Sequence, residues 1–366
     1  MPDFLSPELQ AFRDRIDQLA TGTLVGLRDD ASLEPAERAA RVRDASKAAG
    51  VYGLTQDERT PALTLLVARD TLASHGVGHL RGVFGADPGV LAGVPEPLRS
   101  THLQPLLAGE KRPGFAFTEP SDVERPTWAR IEGDELVITG RKSYVTGGAD
   151  AAFLAALVEI EGQGPAMVII DTDRPGVTQE RRFSSLDGSH HVGFQFEDVR
   201  VPRHHALGAP GDGRGRAMAK ISAVRRAVAA DCAGSSAWIV SLVAADLLRQ
   251  GRRGRKADSE RMRLRYGEMR VAVYAARSVV YRTARLFDAG QDAVNESISA
   301  KVFASETANR IADMAIQLVG GEALVVGHPL EAVMRRLRSL RLAEGESDTL
   351  YVNVARGHLD IGKGRL

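Results

Sequence analysis

The chain is poor in cysteine, in net charge and in long apolar runs. Cys232 is the single cysteine. No internal disulfide can form, which fits a reducing compartment. The thiol lies in the helical pattern AVAADCAGSSAW, where a small buried side chain is the expected role rather than a nucleophile. Formal net charge is +1, so no global field favours nucleic acid or an acidic membrane. The N-terminus, MPDFLSPELQAFRDRI, has no basic stretch followed by an apolar core, and no secretory signal is expected. The longest apolar-rich run, SAWIVSLVAADLL, falls short of the ~20 residues of a spanning helix and contains Asp246. There is no internal repeat and no low-complexity tail. These absences point to a cytoplasmic protein with neither a membrane nor a nucleic acid as partner.

What is present is an ordinary globular composition. The 366 residues are 43% hydrophobic and 26% charged, long enough for two or three substructures around a sizeable core. Residues 1–113 read as a helical domain. Ser6-Pro7-Glu8 supplies a cap, a first-turn proline and an early acid. Apolar residues then recur at helical spacing in ERAARVRDASKAAGVYGL and LTLLVARDTLASHGV. From 114 to 209 the pattern becomes short β-branched and aromatic runs separated by Gly, Pro and Asp, such as FLAALVEI, AMVIIDT and VGFQFEDVRV. Without crossover helices this reads as an antiparallel β-barrel or sandwich. After the Gly-rich link GAPGDGRGRA, residues 210–366 hold four long helical candidates, the last being PLEAVMRRLRSLRLAEG with its continuation. They suggest a four-helix bundle with small-residue stripes that could also assemble with other subunits. The fold class expected is therefore α+β and multidomain.

Six local motifs, in order and at compatible spacing, resemble the acyl-CoA dehydrogenase family over essentially the whole chain. They are PLLAGEKRPGFAFTEP, GDELVITGRKSYVTGGADAAF, VGFQFEDVRVPRHHALG, SAVRRAVAADCAG, AIQLVGGEAL and MRRLRSLRLAEGESDTLYVNVARGHL. The resemblance implies FAD as cofactor and an acyl thioester, on CoA or a carrier protein, as substrate. By motif position, Thr118 and the backbone around Phe117 match the flavin pyrimidine edge, and Phe115 matches a flavin-side aromatic. Tyr144 and Thr146 match the aromatic-x-Thr that packs on the isoalloxazine. Gln317, Gly320 and Gly321 match the turn that meets the adenine and pyrophosphate end, often of a neighbouring subunit's FAD. Glycine suits that place because backbone amides can approach phosphate. Arg225 falls on the arginine opening the bundle's first helix, near the thioester arm, and Gly345 follows the expected base.

The resemblance implies that this base is Glu344, which falls on the family's commonest base position directly before Gly345. Removing a proton from Cα and a hydride from Cβ of a thioester needs a carboxylate together with stabilisation of the enolate-like oxygen. Leu342 and Ala343, both apolar, precede Glu344 and suggest partial desolvation. Relatives that carry the base at the start of the bundle instead would have an acid in KISAVRR, and none is there. The bland alternative is a solvated helix-end glutamate, as Glu346 would be.

Several positions depart from the family pattern. TEPSDVERPTW is short and lacks the usual Gly-Ser-Asp step, leaving Ser121 and Asp122 as partial substitutes. Of the family's "R..FG", Gly254 can be matched, but Arg253 stands for the phenylalanine. Arg336 replaces an aspartate and Glu346 a hydroxyl. Three readings follow: a catalytic dehydrogenase passing electrons to an electron-transfer flavoprotein, as a homo-oligomer or a heteromer with a related subunit; a flavin monooxygenase of the same fold; or an FAD-poor subunit completing a partner's site. The basic run RQGRRGRK reads as an inter-helix loop, because it lacks aromatic interleaving. His190-His191 and His204-His205 are strand neighbours pointing to opposite faces, so no metal is expected. GAPGDGRGR lacks the strand–turn–helix context of a dinucleotide fold.

Overall fold

Helix-period and strand-period segments alternate along the chain as their patterns dictate, and each buries its apolar stripe within one of two compact units. A computed structural model describes residues 5–252 and 260–362; Arg253 and Gly254 lie outside the described residues. One unit comprises 1–85 with 222–366, the other 86–221.

In the first unit, α1 (Pro7–Leu19), α2 (Val25–Asp29), α3 (Pro35–Ala48) and α4 (Ala62–Ser74) come first. Ser6 caps α1, its Oγ accepting from Leu9 N–H at 3.3 Å, with Pro7 in the first turn. Ile16, Val42 and Leu72 from α1, α3 and α4 meet in one apolar cluster.

The 86–221 unit begins with α5 (Gln104–Ala108) and holds an eight-stranded sheet: β1 (Pro113–Ala116), β2 (Trp128–Glu132), β3 (Glu135–Thr146), β4 (Phe153–Ile160), β5 (Gly164–Asp171), β6 (Val177–Ser184), β7 (His190–Pro202) and β8 (Ala206–Leu207). The order is β6-β7-β3-β2-β4-β5-β8, with β1 also on β4. Two pairings, β1 with β4 and β2 with β4, are parallel, so the sheet is mixed rather than purely antiparallel. No crossover helix is needed, because the intervening strands themselves carry the chain back. β4 and β5 are buried on both faces: Leu154, Ala156, Val168 and Ile170 enter one cluster, Phe153, Ala155, Met167 and Ile169 another. Two-sided burial is why both strands read as continuous apolar runs.

The helical C-terminal part consists of α6 (Gly213–Arg252), α7 (Glu260–Asp288), α8 (Val294–Val319), α9 (Pro329–Leu340) and α10 (Ser347–Leu359). The fourth long helix expected from sequence is thus two helices broken by a turn. Ala304, Ala308, Ile311, Ala312 and Ala315 form the buried stripe of α8, packing with Met269, Ala272 and Val280 of α7. Small residues at this spacing let helices approach closely. A stretch of α6 matches a membrane span in length and composition, but its Ala229, Ala230, Cys232, Ala233, Ile239 and Val243 belong to this core.

Candidate active site

The break between α9 and α10 carries Glu344. Leu342 N–H and Ala343 N–H both return to Ser339 O, at 2.9 and 3.0 Å. Glu344 then takes φ +57° and Gly345 φ +105°, a left-handed exit from a helix. At φ +105° any side chain on Gly345 would be strained, and its Cβ would also press on Leu350 Cδ2 at 2.9 Å. Glu346 is extended at the N-cap of α10 and accepts from Thr349 Oγ1 at 2.8 Å, where a negative charge suits the helix dipole.

Buried cations hold the turn from inside. Arg225 Nε donates to Glu344 O at 3.0 Å. Lys301 Nζ donates to Gly345 O at 2.8 Å and to Arg341 O at 3.2 Å. Asn309 Nδ2 donates to Leu337 O at 2.8 Å, and Glu306 accepts from Arg341 Nε and Ser347 Oγ. Arg225 is 5% exposed and Lys301 0%. Burial pushes the Arg225 guanidinium below its ordinary range, against the opposing pull of the Glu344 carboxylate. Burial, with Arg225 nearby, likewise pushes Lys301 down to about 8, while Cys232, Glu306 and Glu344 oppose it. Glu344 is half-buried, but Leu342 and Ala343 are exposed, so those two apolar residues do not shield it as expected; cations flank its backbone instead.

In the 86–221 unit, Tyr144 sits at a bulge. Between Lys142 and Val145 the register of β3 against β7 shifts, and Tyr144 adopts φ +55°. Core-facing positions on β3 change from Leu136 and Ile138 to Val145 across it. Tyr144 is 62% exposed, its ring edge-on to Phe183 at 5.3 Å and His191 at 6.3 Å. Thr146 Oγ1 is 3.1 Å from His191 Nδ1. Among the described residues only Tyr144, Asp198 and Glu344 have positive φ without being glycine; such residues cluster at functional sites because strain persists only where surroundings enforce it.

The neighbouring loop is tied to this bulge. Ser143 N–H donates to Thr118 O at 2.8 Å. Lys142 Nζ donates to Glu119 Oε1 at 2.7 Å, and the same oxygen takes Thr127 N–H at 2.7 Å. Burial drives the Lys142 ammonium down despite Glu119. For Glu119 burial acts upward, but Lys142 and Thr127 outweigh it and the carboxyl ends below its usual range. Phe115 and Phe117 stack in parallel at 6.0 Å and pack beside the cluster of Leu106 and Phe153. Thr118 and Ser121 are exposed.

At the far end of α8, Gly320 has φ +92° and ψ −163°, backbone open only to glycine. An added Cβ there or on Gly321 would meet nothing within 4 Å, and Gln317 is exposed. Sixteen residues separate Lys301 from Gln317 along α8, roughly 24 Å of helix. Arg225, Glu344 and Gly345 therefore come together, and the Gly-Gly turn lies apart from them.

Residues 211–359 match the family model described as acyl-CoA dehydrogenase, C-terminal domain. A probable acyl-CoA dehydrogenase of Bacillus subtilis is 29% identical over 297 residues, covering 77% of this chain and 78% of that one. A subunit of the caffeyl-CoA reductase-Etf complex of Acetobacterium woodii is 28% identical over 288 residues, covering 74% and 76%. The fold matches the crystal structure of an acyl-CoA dehydrogenase complexed with FAD from Bacillus anthracis, with TM-score 0.80, 21% identity, and coverage of 98% and 69%. The chain belongs to the acyl-CoA dehydrogenase family.

For this acyl-CoA dehydrogenase-family oxidoreductase, the residues present fit a flavin dinucleotide. In the 86–221 unit an exposed Tyr144 ring with the Thr146 hydroxyl two residues on supplies aromatic surface and a hydroxyl. In the other unit the Gly320–Gly321 turn leaves open space where side chains would stand, the Gly320 N–H itself being used on Ile316 O at 2.8 Å. Among the described residues no group of three or more His, Cys, Asp and Glu side chains could hold a metal. Sequence reasoning missed Lys301, Lys142 with Glu119, and the Phe183–His191 pair under Tyr144. One signal for Lys301 was available: Ile298, Lys301, Val302 and Ser305 share one buried helical face, and a charge on such a face needs a partner.

Proposed function

We propose that this chain is an FAD-dependent dehydrogenase of acyl thioesters, with Glu344 as the base. The observation that carries this reading is the left-handed backbone of Glu344 held by Arg225 and Lys301. Helix-end glutamates on a solvated face have no need of two buried cations. Bound FAD supplies the hydride-accepting chemistry that these side chains lack. Glu344 takes the Cα proton onto its carboxylate as the Cβ hydride leaves, and the backbone N–H of Glu344 serves the thioester oxygen. The reverse reaction, reduction of an enoyl thioester, uses the same carboxyl as the acid.

Phe115, Phe117, Thr118, Ser121, Tyr144 and Thr146 would hold the flavin end. Gln317, Gly320 and Gly321 would hold the adenine and pyrophosphate end of a second subunit's FAD, which agrees with their distance along α8 from Lys301, the residue that reaches the Glu344 turn. Arg225 and Gly345 would lie beside the thioester. An oligomer, an electron-transfer flavoprotein as acceptor and a cytoplasmic location complete the reading.

The purified protein should be yellow and should bleach on mixing with an acyl-CoA. Glu344→Gln should slow bleaching by about 10²- to 10⁴-fold, the usual worth of a positioned base. A Glu344→Gln protein that bleaches at the wild-type rate removes the base assignment. A protein that is colourless alone and yellow only when co-expressed with a related chain would mark it instead as a partner-completing subunit.

A further inference from the structure

We propose that Lys301 is a positioning residue for the base, its ammonium bridging the carbonyls of Arg341 and Gly345 and thereby holding Glu344 in its left-handed turn. This rests on the reading of Glu344 as the base.

Lys301 lies on the core-facing stripe of α8 and is wholly buried. Burying an ammonium is costly unless its donors are met, and methionine would fill a similar volume without that cost. Two of the three N–H donors of Lys301 go to oxygens that bracket Glu344, at 3.2 Å on Arg341 and 2.8 Å on Gly345. Capping alone does not explain the charge. Helix α5, by contrast, closes on Gly109 in the left-handed conformation through backbone hydrogen bonds alone. At the end of α9 the left-handed position is filled by a glutamate, which resists that geometry.

A second cation sharpens the point. Arg225 reaches the same turn, on Glu344 O, and its charge opposes that of Lys301. Two like charges converge on one short segment, an arrangement that packing would not select. Their oxygens are consecutive along the chain, at 344 and 345, with 341 closing the loop. The backbone on both sides of the base is thus fixed while its side chain stays half-exposed.

The test uses the full-length flavoprotein and two variants, Lys301→Met and Lys301→Gln, either of which suffices if the other fails to fold. The first readout needs no substrate. Hydrogen exchange of the amides at 341–347 should quicken by about tenfold or more, with exchange in α7 unchanged, as expected for local opening. The second readout is flavin bleaching by butyryl-CoA or octanoyl-CoA. Its limiting rate should fall about 10- to 100-fold while half-saturation and FAD content hold within about threefold, because small misplacement of a base costs rate rather than binding. In a Glu344→Gln background Lys301→Met should add no further loss. Unchanged exchange at 341–347 overturns the proposal, as does an unchanged limiting rate, a purely affinity effect, or an added loss in the Glu344→Gln background. Failure of the base reading is separately visible, as a Glu344→Gln protein that still bleaches normally.

Discussion

Arg225 Nε donates to the backbone oxygen of Glu344 at 3.0 Å, although 119 positions separate them in the chain. The contact joins the first half of the long helix α6 to the break between α9 and α10, beside Gly345. A methyl group on Gly345 would sit 2.9 Å from Leu350 Cδ2 and 3.5 Å from Arg225 Nη2, in a backbone at φ +105°. Gly345→Ala should therefore destabilise the protein by about 2–3 kcal/mol, from the left-handed penalty and the displaced neighbours together. Urea unfolding measures the loss, and the bleaching rate should fall with it because the base turn moves.

Tyr144 tests whether backbone strain serves the cofactor. At φ +55° it occupies a conformation that glycine adopts freely. Tyr144→Gly relieves that strain, loses the edge contact with Phe183, and gains chain entropy on unfolding. These terms are of similar size, so stability should change by less than about 1 kcal/mol. The flavin-to-protein ratio, read from the visible and ultraviolet absorbance after dialysis, should nevertheless fall severalfold. A variant that keeps its full complement of flavin would show that the ring has only a local structural role.

The periodicities were readable because burial imposes them. Ser6 with Pro7 marked the start of α1, and two-sided burial wrote β4 and β5 as unbroken apolar runs. The family motifs brought Glu344, Arg225 and Gly345 into one list, and the fold sets Arg225 of α6 against the turn that carries the other two. Three features were hidden for physical reasons. The split of the last long helix depends on Gly345, which reads as an ordinary helix-end glycine until Leu350 and Arg225 are packed against it. The bulge at Tyr144 depends on pairing with β7, a strand that begins 46 residues later at His190. The partners of Lys301 were not readable, because the carbonyls it serves lie 40 and 44 positions away.

Acid should expose a different pair. The Asp171 carboxylate accepts from His102 Nε2 at 2.8 Å, and His102 is 3% exposed. That hydrogen bond, against the upward push of burial and with help from Arg174, holds Asp171 down to about 2 from 3.8. A carboxyl depressed in the fold stabilises above its unfolded value and loses that stabilisation as pH falls. The window here runs from about pH 4 to about pH 2, and the amount is about 2 kcal/mol. Asp171→Asn should be less stable at pH 7 by that order and should show a flatter stability curve between pH 4 and 2. Denaturant titrations at several pH values check both; parallel curves for the two proteins would refute the assignment.

Lys142 and Glu119 offer a test that separates the value of a pair from the cost of breaking it. Lys142 is 1% exposed, its ammonium 2.7 Å from Glu119 Oε1. Lys142→Met leaves the carboxylate with Thr127 and no cation, so about 2–3 kcal/mol should be lost, the lower end for a buried pair because Glu119 keeps 21% side-chain exposure. Glu119→Gln added to Lys142→Met removes the stranded charge and should recover at least half of that loss. Flavin retention should not recover in parallel, because the pair anchors the loop carrying Thr118 beside Ser143. Stability restored without flavin would assign the pair to cofactor binding; both restored together would make it a packing feature only.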